Sequence, residues 1–218
     1  MRSREAFHRR GWKTEVIVCD NNSKDRTAAL AEAAGARVVF EPINQIARAR
    51  NTGASVATGI WLLFIDADSQ PSPELFDAVA SRIESGRVLA GGALLKLDQS
   101  NFSIRILTSF WHLWSRLLRL MAGSFIYCES AAFRSIGGFS HELFAGEELE
   151  LSNRLKRLAR QRGQRIDIIT RPRLLTSARK AHLYTPMEVG RFMVRALFRP
   201  KRVLGSRESC SIWYDGRR

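Results

Sequence analysis

The sequence predicts an α/β fold of the doubly wound kind, a Rossmann-like, mostly parallel sheet with helices on both faces, and three observations carry that expectation. Strand-like and helix-like patterns alternate from Thr14 to Leu95, the rhythm of βα units joined by right-handed crossovers. Trp61 to Ile65 is an unbroken run of five large apolar residues, which suits a central strand covered on both faces. The run ends in Asp66-Ala67-Asp68, and open α/β sheets bind their ligands beyond the carboxyl ends of such strands.

Residues 3 to 10 read as the last turns of a helix ended by Gly11, and Thr14 to Asp20 as a strand followed by the polar loop Asn21-Asn22-Ser23. Ser23 or Asp25 can cap a helix running to Ala34, Gly35 closes it, and Ala36 to Phe40 is the next strand. Asn44 to Thr58 is a helix with Arg48, Arg50 and Asn51 near its middle, and it feeds the run at Trp61. Pro71 and Pro73 open a helix to Glu84, Ser85-Gly86 stops it, and Arg87 to Leu95 is strand-like.

The second half begins with a long amphipathic helix, Ile104 to Met121. Arg105, Thr108, Ser109, His112, Ser115, Arg116 and Arg119 make its polar face, opposed by an apolar one of Ile106, Leu107, Phe110, Trp111, Leu113, Trp114, Leu117, Leu118 and Met121. Amphipathic helices ordinarily lay the apolar face on the sheet. Tryptophan beside arginine also suits a lipid headgroup region, which makes an interfacial helix the alternative. Gly123 to Glu129 reads as a strand, Ala131 to Ser135 as a short helix and Gly137-Gly138-Phe139 as a turn. Glu147, Glu148 and Glu150 then form the acidic first turn of a helix to Gln161, a placement the helix dipole favours. Ile166 to Thr170 is a late strand, and a basic amphipathic helix follows Pro186.

With 218 residues and 45% hydrophobic content, the chain can bury a core of one domain with an appendage. No run approaches the roughly 18 apolar residues of a membrane span, and the first residues lack a signal-peptide hydrophobic region, so the expected location is cytoplasmic. Cys19, Cys128 and Cys210 are far apart with no C-x-x-C spacing, so free thiols are expected rather than a zinc site or disulfides. The formal charge of +14 predicts attraction to a polyanion: nucleic acid, an anionic membrane surface or a phosphorylated substrate. Zinc-finger spacing, an RNP-like aromatic signature and a helix-turn-helix pattern are all missing, so nucleic acid is not the expected partner.

Asp66 and Asp68 repel one another and are costly to desolvate alone, so a divalent cation is their natural partner. Oxygen ligands of this kind suit Mg²⁺ or Mn²⁺. The plainer reading of the pair is a helix cap and a solvated loop.

Five segments taken together resemble glycosyltransferase family 2: Val16 to Thr27 with Asp20-Asn21-Asn22-Ser23, Ala49-Arg50-Asn51-Thr52-Gly53-Ala54, Phe64 to Asp68, Ala132-Phe133-Arg134 with Gly137-Gly138-Phe139, and Gly146 to Leu151 with Arg154-Leu155. The resemblance implies a GT-A fold, a nucleotide-diphosphate sugar donor, Mn²⁺ or Mg²⁺, and inversion at the anomeric carbon. It implies base recognition by Asp20 or the Asn21 amide, a nucleotide-side role for Arg50, a ribose- and metal-side carboxylate at Asp66 and a direct metal ligand at Asp68. Glu148 falls where the family has its general base, with Glu147 as second candidate. His182 lies where some GT-A enzymes place a metal-binding histidine, although a surface histidine is the plainer reading. Arg179 and Lys180 suit diphosphate contacts.

On this reading residues 1 to 185 form the GT-A domain, with a nucleotide-binding half at 1 to 70 and an acceptor and catalytic half at 71 to 185, and residues 186 to 218 form a basic helix and tail. Family members begin with an apolar strand and a Pro-x-Tyr-Asn-Glu-like loop, whereas this sequence starts within the following helix; the expectation is an N-terminally truncated GT-A fold. The acceptor is open, with a lipid-linked one among the candidates. Two other functions compete: a nucleotidyltransferase, which can share a related sheet and acidic metal site, and a non-catalytic polyanion-binding module.

Overall fold

The computed structural model describes residues 5–98, 102–177, 188, 191, 192, 195 and 199–214. Along the chain run α1 (Glu5–His8), β1 (Ile17–Asp20), α2 (Thr27–Ala33), β2 (Arg37–Phe40), α3 (Ile46–Ser55), β3 (Trp61–Ile65), β4 (Ser69–Gln70), α4 (Pro73–Glu84) and β5 (Val88–Leu97). They are followed by α5 (Phe102–Leu118), β6 (Phe125–Glu129), α6 (Ser130–Ser135), α7 (Glu147–Gln161), β7 (Arg165–Thr176), α8 (Pro200–Leu204) and α9 (Ser211–Tyr214).

The strands form a two-stranded parallel sheet, β1-β2, and a five-stranded sheet in the order β3-β6-β5-β7-β4. β6 is antiparallel to both β3 and β5, and β5 is parallel to β7, so β3, β5 and β7 all point the same way. The strand expected at the centre, β3, lies at one end of this order, and Ile65 is exposed there. The central place falls to β5, whose first seven residues are buried. Both faces of the sheet are nonetheless covered. Ile126 and Cys128 of β6 join Leu62, Leu151, Leu155 and Phe133 on one side, while Phe125 and Tyr127 join Leu75, Val79 and Ile169 on the other. Alternate residues of a strand face opposite ways, so one strand supplies both cores.

Helix α4 starts where its sequence signals place it. Ser72 is the N-cap, its Oγ accepting from Leu75 N at 3.3 Å, and Pro73 occupies the first turn, where its missing N–H leaves no bond unmade. The three cysteines are free thiols, two of them buried.

Helix α5 inverts the packing expected of its apolar face. His112 and Ser115, from the polar face, are buried, whereas Phe110, Leu113, Trp114, Leu117 and Leu118 are 42–67% exposed. The reason is local competition for the sheet. Around β5 the core is already filled by Leu75 and Val79 of α4 and by Met121, Leu151 and Leu155, and α5 takes a narrow polar seat instead. His112 hydrogen-bonds the backbone of Leu95, and burial pushes its imidazole below the ordinary pKa. Ser115 Oγ donates to Leu120 O at 2.7 Å. Among the described residues no helix is long and apolar enough to cross a membrane.

Candidate active site

Asp66 is delivered by β3. Its backbone N–H donates to Ser124 O at 3.2 Å, and its carbonyl accepts from Ser69 N at 3.0 Å, closing a tight turn that leaves Asp68 exposed. The two-residue strand β4 pins the far side of the turn to β7, with Ser69 Oγ and Thr176 Oγ1 3.2 Å apart. The D-x-D pair thus has two different environments. Asp66 is engaged by Arg50, and Asp68 makes no hydrogen bond or ion pair among the described residues.

Arg50 on α3 is the hub. Its side chain is only 11% exposed; Nη1 donates to Glu147 Oε1 at 2.8 Å, and Nη2 to Asp66 Oδ1 and to Gly123 O, both at 2.9 Å. The guanidinium carbon lies 5.2 Å from the centre of the Phe139 ring, a cation–π distance. Burial disfavours the cation, but Asp66, Glu147 and Glu148 outweigh it and raise its pKa. A planar fork with five donors can satisfy three acceptors from three chain segments at once.

Glu147 and Glu148 open α7, whose N-cap, Gly146, has φ 75°. The Glu147 side chain is 5% exposed and spends one oxygen on Arg50. Glu148 is half-buried and makes no ion pair among the described residues. Burial first, and the neighbouring Glu147 charge second, push its carboxyl well above the usual carboxylate range, with Arg50 opposing them. At Gly123 a Cβ would come within 3.2 Å of Arg50 Nη2 and 3.5 Å of the Glu148 carboxyl carbon, so a side chain there would displace these groups by a few tenths of an ångström.

Asp20 ends β1, and its Oδ1 accepts from Ser23 N at 2.9 Å. The Asn21 amide, by contrast, is spoken for: Nδ2 donates to Glu41 O and Ile43 O at 3.1 and 2.7 Å, and Oδ1 accepts from Gln45 N at 3.0 Å. Asn21 therefore shapes the entry to α3, and Asp20 is the group left with free acceptor capacity. Arg179, Lys180 and His182 lie outside the described residues.

Several further residues build the site without having been candidates for a functional role. Asn51, one residue after Arg50, accepts from Phe139 N at 2.9 Å and donates to Phe139 O at 2.8 Å, holding the turn that places Phe139 over Arg50. Gly138 in that turn has φ 68°, and a Cβ there would lie 2.6 Å from Asn51 Oδ1. Buried Gln45 donates to His141 O and Leu143 O at 2.8 and 2.9 Å. From the expected tail, the Tyr214 hydroxyl accepts from Ile46 N at 3.2 Å, and its ring packs edge-on against Phe144 at 5.6 Å. Asn51, Gly138 and Phe139 lie in segments that carry the family resemblance; Gln45 and Tyr214 make long-range pairings with no local pattern.

Asp66 and Asp68 fit a hard divalent cation chemically: both are carboxylates, one exposed and unpaired, at the carboxyl end of a strand. No group of three or more acidic, histidine or cysteine side chains able to hold a metal occurs among the described residues, so such an ion would take further ligands from a bound diphosphate and water.

Residues 6–139 match the family model for Glycosyl transferase family 2. Over 65 residues the chain is 42% identical to an uncharacterized glycosyltransferase of Rickettsia conorii, covering 30% of this chain and 23% of that protein. Its fold is similar to that of the mannosyltransferase PcManGT from Pyrobaculum calidifontis in complex with GDP-Man and Mn²⁺, with TM-score 0.61, 18% identity, and coverage of 82% of this chain and 50% of that one. It is also similar to glucosyl-3-phosphoglycerate synthase from Mycobacterium tuberculosis in complex with Mn²⁺, UDP-glucose and phosphoglyceric acid, with TM-score 0.56, 18% identity, and coverage of 84% and 65%. The chain thus spans less than a quarter of the curated relative and half to two-thirds of the solved ones. The structural likeness assigns the GT-A fold, and with a family match over more than half of its length the chain belongs to glycosyl transferase family 2.

Proposed function

We infer that this chain transfers a sugar from a nucleotide-diphosphate sugar to an acceptor hydroxyl in a single, inverting displacement that depends on a divalent metal. The observation that carries the reading is the Arg50 bridge, which ties the carboxylate at the end of β3 to the acidic first turn of α7. It sets a donor side, with Asp66 and Asp68, against an acceptor side, with Glu148.

On the donor side, Asp20, with free acceptor capacity at the end of β1, accepts from the nucleotide base, and Arg50 holds the Asp66 carboxylate on the nucleotide side. Asp68, with the free oxygen of Asp66, would hold Mn²⁺ or Mg²⁺, which when bound supplies positive charge to the departing diphosphate. On the acceptor side, Glu148 in its ionised form takes the proton of the acceptor hydroxyl. The acceptor oxygen then bonds to the anomeric carbon while the bond from that carbon to the phosphate oxygen breaks, and nucleoside diphosphate leaves. Glu147 is held by Arg50 and keeps the guanidinium in place, so the two adjacent glutamates divide the positioning and proton-accepting roles.

The test is Glu148→Gln. Donor binding by calorimetry should be unchanged while turnover falls by about two to four orders of magnitude. Loss of donor affinity instead would make Glu148 a structural group. The nucleotidyltransferase reading is separated by product: release of nucleoside diphosphate supports glycosyl transfer, and release of pyrophosphate contradicts it.

A further inference from the structure

Among the described residues, the exposed face of α5 has no partner. Phe110, Leu113, Trp114, Leu117 and Leu118 recur at three- and four-residue steps and form one stripe, with Phe110 and Trp114 packed edge-on at 5.9 Å. Five large apolar residues left together in water make the kind of patch that marks an interaction site rather than ordinary surface.

What surrounds the stripe selects its occupant. Arg116 and Arg119 are exposed at the C-terminal end of α5. They line a cleft of about 260 Å³ with Arg165, Asp167 and Thr170 of β7. The one acid there, Asp167, is paired with Arg82 at 3.1 Å. The next basic ring comes from α7. Lys156 Nζ donates to Leu118 O at 2.9 Å, so α7 abuts the end of the stripe, and Arg157 and Arg160 follow on exposed positions of the same helix. An apolar stripe rimmed by cations on a chain of net charge +14 is poorly matched to a second copy of itself, because the rims would repel. It is well matched to a surface that is anionic at headgroup depth and apolar just beneath.

We propose that the α5 face docks on an anionic lipid bilayer. Phe110, Leu113, Trp114, Leu117 and Leu118 enter the acyl boundary, and Arg116, Arg119 and Arg165 engage lipid phosphates. Helix α5 ends at Leu118, five residues before Gly123, whose carbonyl accepts from Arg50, so the docking face and the site are joined by a short connection. The docking does not depend on the transfer reaction, and its failure would leave the transfer reading standing.

The experiment is co-sedimentation of the full chain with vesicles of phosphatidylcholine alone or mixed with phosphatidylglycerol, in low and high salt, with nucleoside diphosphate binding measured in parallel. The expected result is binding that grows with the anionic fraction and weakens in salt. Leu117→Glu should abolish it, Arg116→Ala and Arg119→Ala should each weaken it about fivefold, and nucleotide binding should be unchanged in all three. Each substituted side chain is exposed, so the fold is not at stake. Absence of binding at low salt, equal binding to neutral vesicles, or undiminished binding by Leu117→Glu would overturn the proposal. So would a wild-type dimer in light scattering that Leu117→Glu dissociates, or duplex DNA that competes with vesicles and binds that variant equally well.

Discussion

Glu147 Oε1 lies 2.8 Å from Arg50 Nη1, although 97 residues separate them in the chain. Both side chains are nearly excluded from water, at 5% and 11% exposure. In a setting of this kind neither charge tolerates loss of the other, because the remaining one is buried without compensation. Arg50→Ala should therefore destabilise the fold by about 3–5 kcal/mol. Arg50→Lys keeps the charge but not the fork, and cannot serve Glu147, Asp66 and Gly123 together. Thermal unfolding should rank wild type above Arg50→Lys above Arg50→Ala. Equal midpoints would mean that the bridge contributes nothing to stability.

Glu148 gives a pH dependence with a defined sign. Burial and Glu147 raise its carboxyl in the native state from 4.5 to about 8. Across that window the native state binds more protons than the unfolded chain, so stability should fall as pH rises through it. Glu148→Gln removes the ionisation and should flatten this part of the stability curve, with higher stability than wild type at the alkaline end. Activity runs the opposite way. A base that must be ionised makes turnover rise with pH over the same window. Unfolding midpoints and turnover measured on one pH series check both; a wild-type stability that does not fall there would place the carboxyl back in the ordinary range.

Much of the architecture was legible because it rests on local signals. Ser72 before Pro73, and the acidic residues after Gly146, mark helix starts that the structure reproduces at α4 and α7. The apolar run at Trp61 was recognised as a strand, but its position in the sheet was not, since strand order depends on pairing partners such as Phe125 to Glu129 that lie far along the chain. The same limit governs the site. Asp66, Arg50, Asn51 and Glu148 lie in motifs that name them, whereas Gln45 and Tyr214 act through bonds to backbone atoms 96 and 168 residues away. Helix α5 shows the limit most sharply. Its two faces were read correctly, yet which face turns inward was decided by Leu75, Val79, Leu151 and Leu155 having already filled the core.

Gly123 offers a test of the site's tolerance. An added methyl would lie 3.2 Å from Arg50 Nη2 and 3.5 Å from the Glu148 carboxyl carbon, so those side chains must move by a fraction of an ångström. Catalysis is sensitive to displacements of that order, and Gly123→Ala should lower turnover by about 10- to 100-fold. Circular dichroism should show an unchanged fold, and donor affinity should drop much less than turnover. A variant with wild-type turnover would show that Glu148 does not need its present position.

Asp66 and Asp68 are separated by one residue but should respond differently to removal. Asp68 is exposed and without an ion pair among the described residues, whereas Asp66 Oδ1 is held by Arg50 at 2.9 Å. Under the proposed function, Asp68→Ala removes a metal ligand, and it breaks no hydrogen bond or ion pair among the described residues. It should leave the unfolding midpoint unchanged and abolish the tightening of nucleoside diphosphate binding by Mn²⁺ in calorimetry. Asp66→Ala removes one acceptor of a buried guanidinium and, under the proposed function, a metal-side oxygen as well, so it should weaken the same binding and also lower the midpoint. Asp66 is 40% exposed, and water can replace part of what Arg50 loses, which keeps the expected cost to about 1–2 kcal/mol. Chelation of the metal in wild type should reproduce the binding defect of Asp68→Ala without any shift in midpoint. Metal-dependent nucleotide binding that survives in Asp68→Ala would remove this residue from the metal site, and a destabilised Asp68→Ala would show that its carboxylate supports the turn after β3.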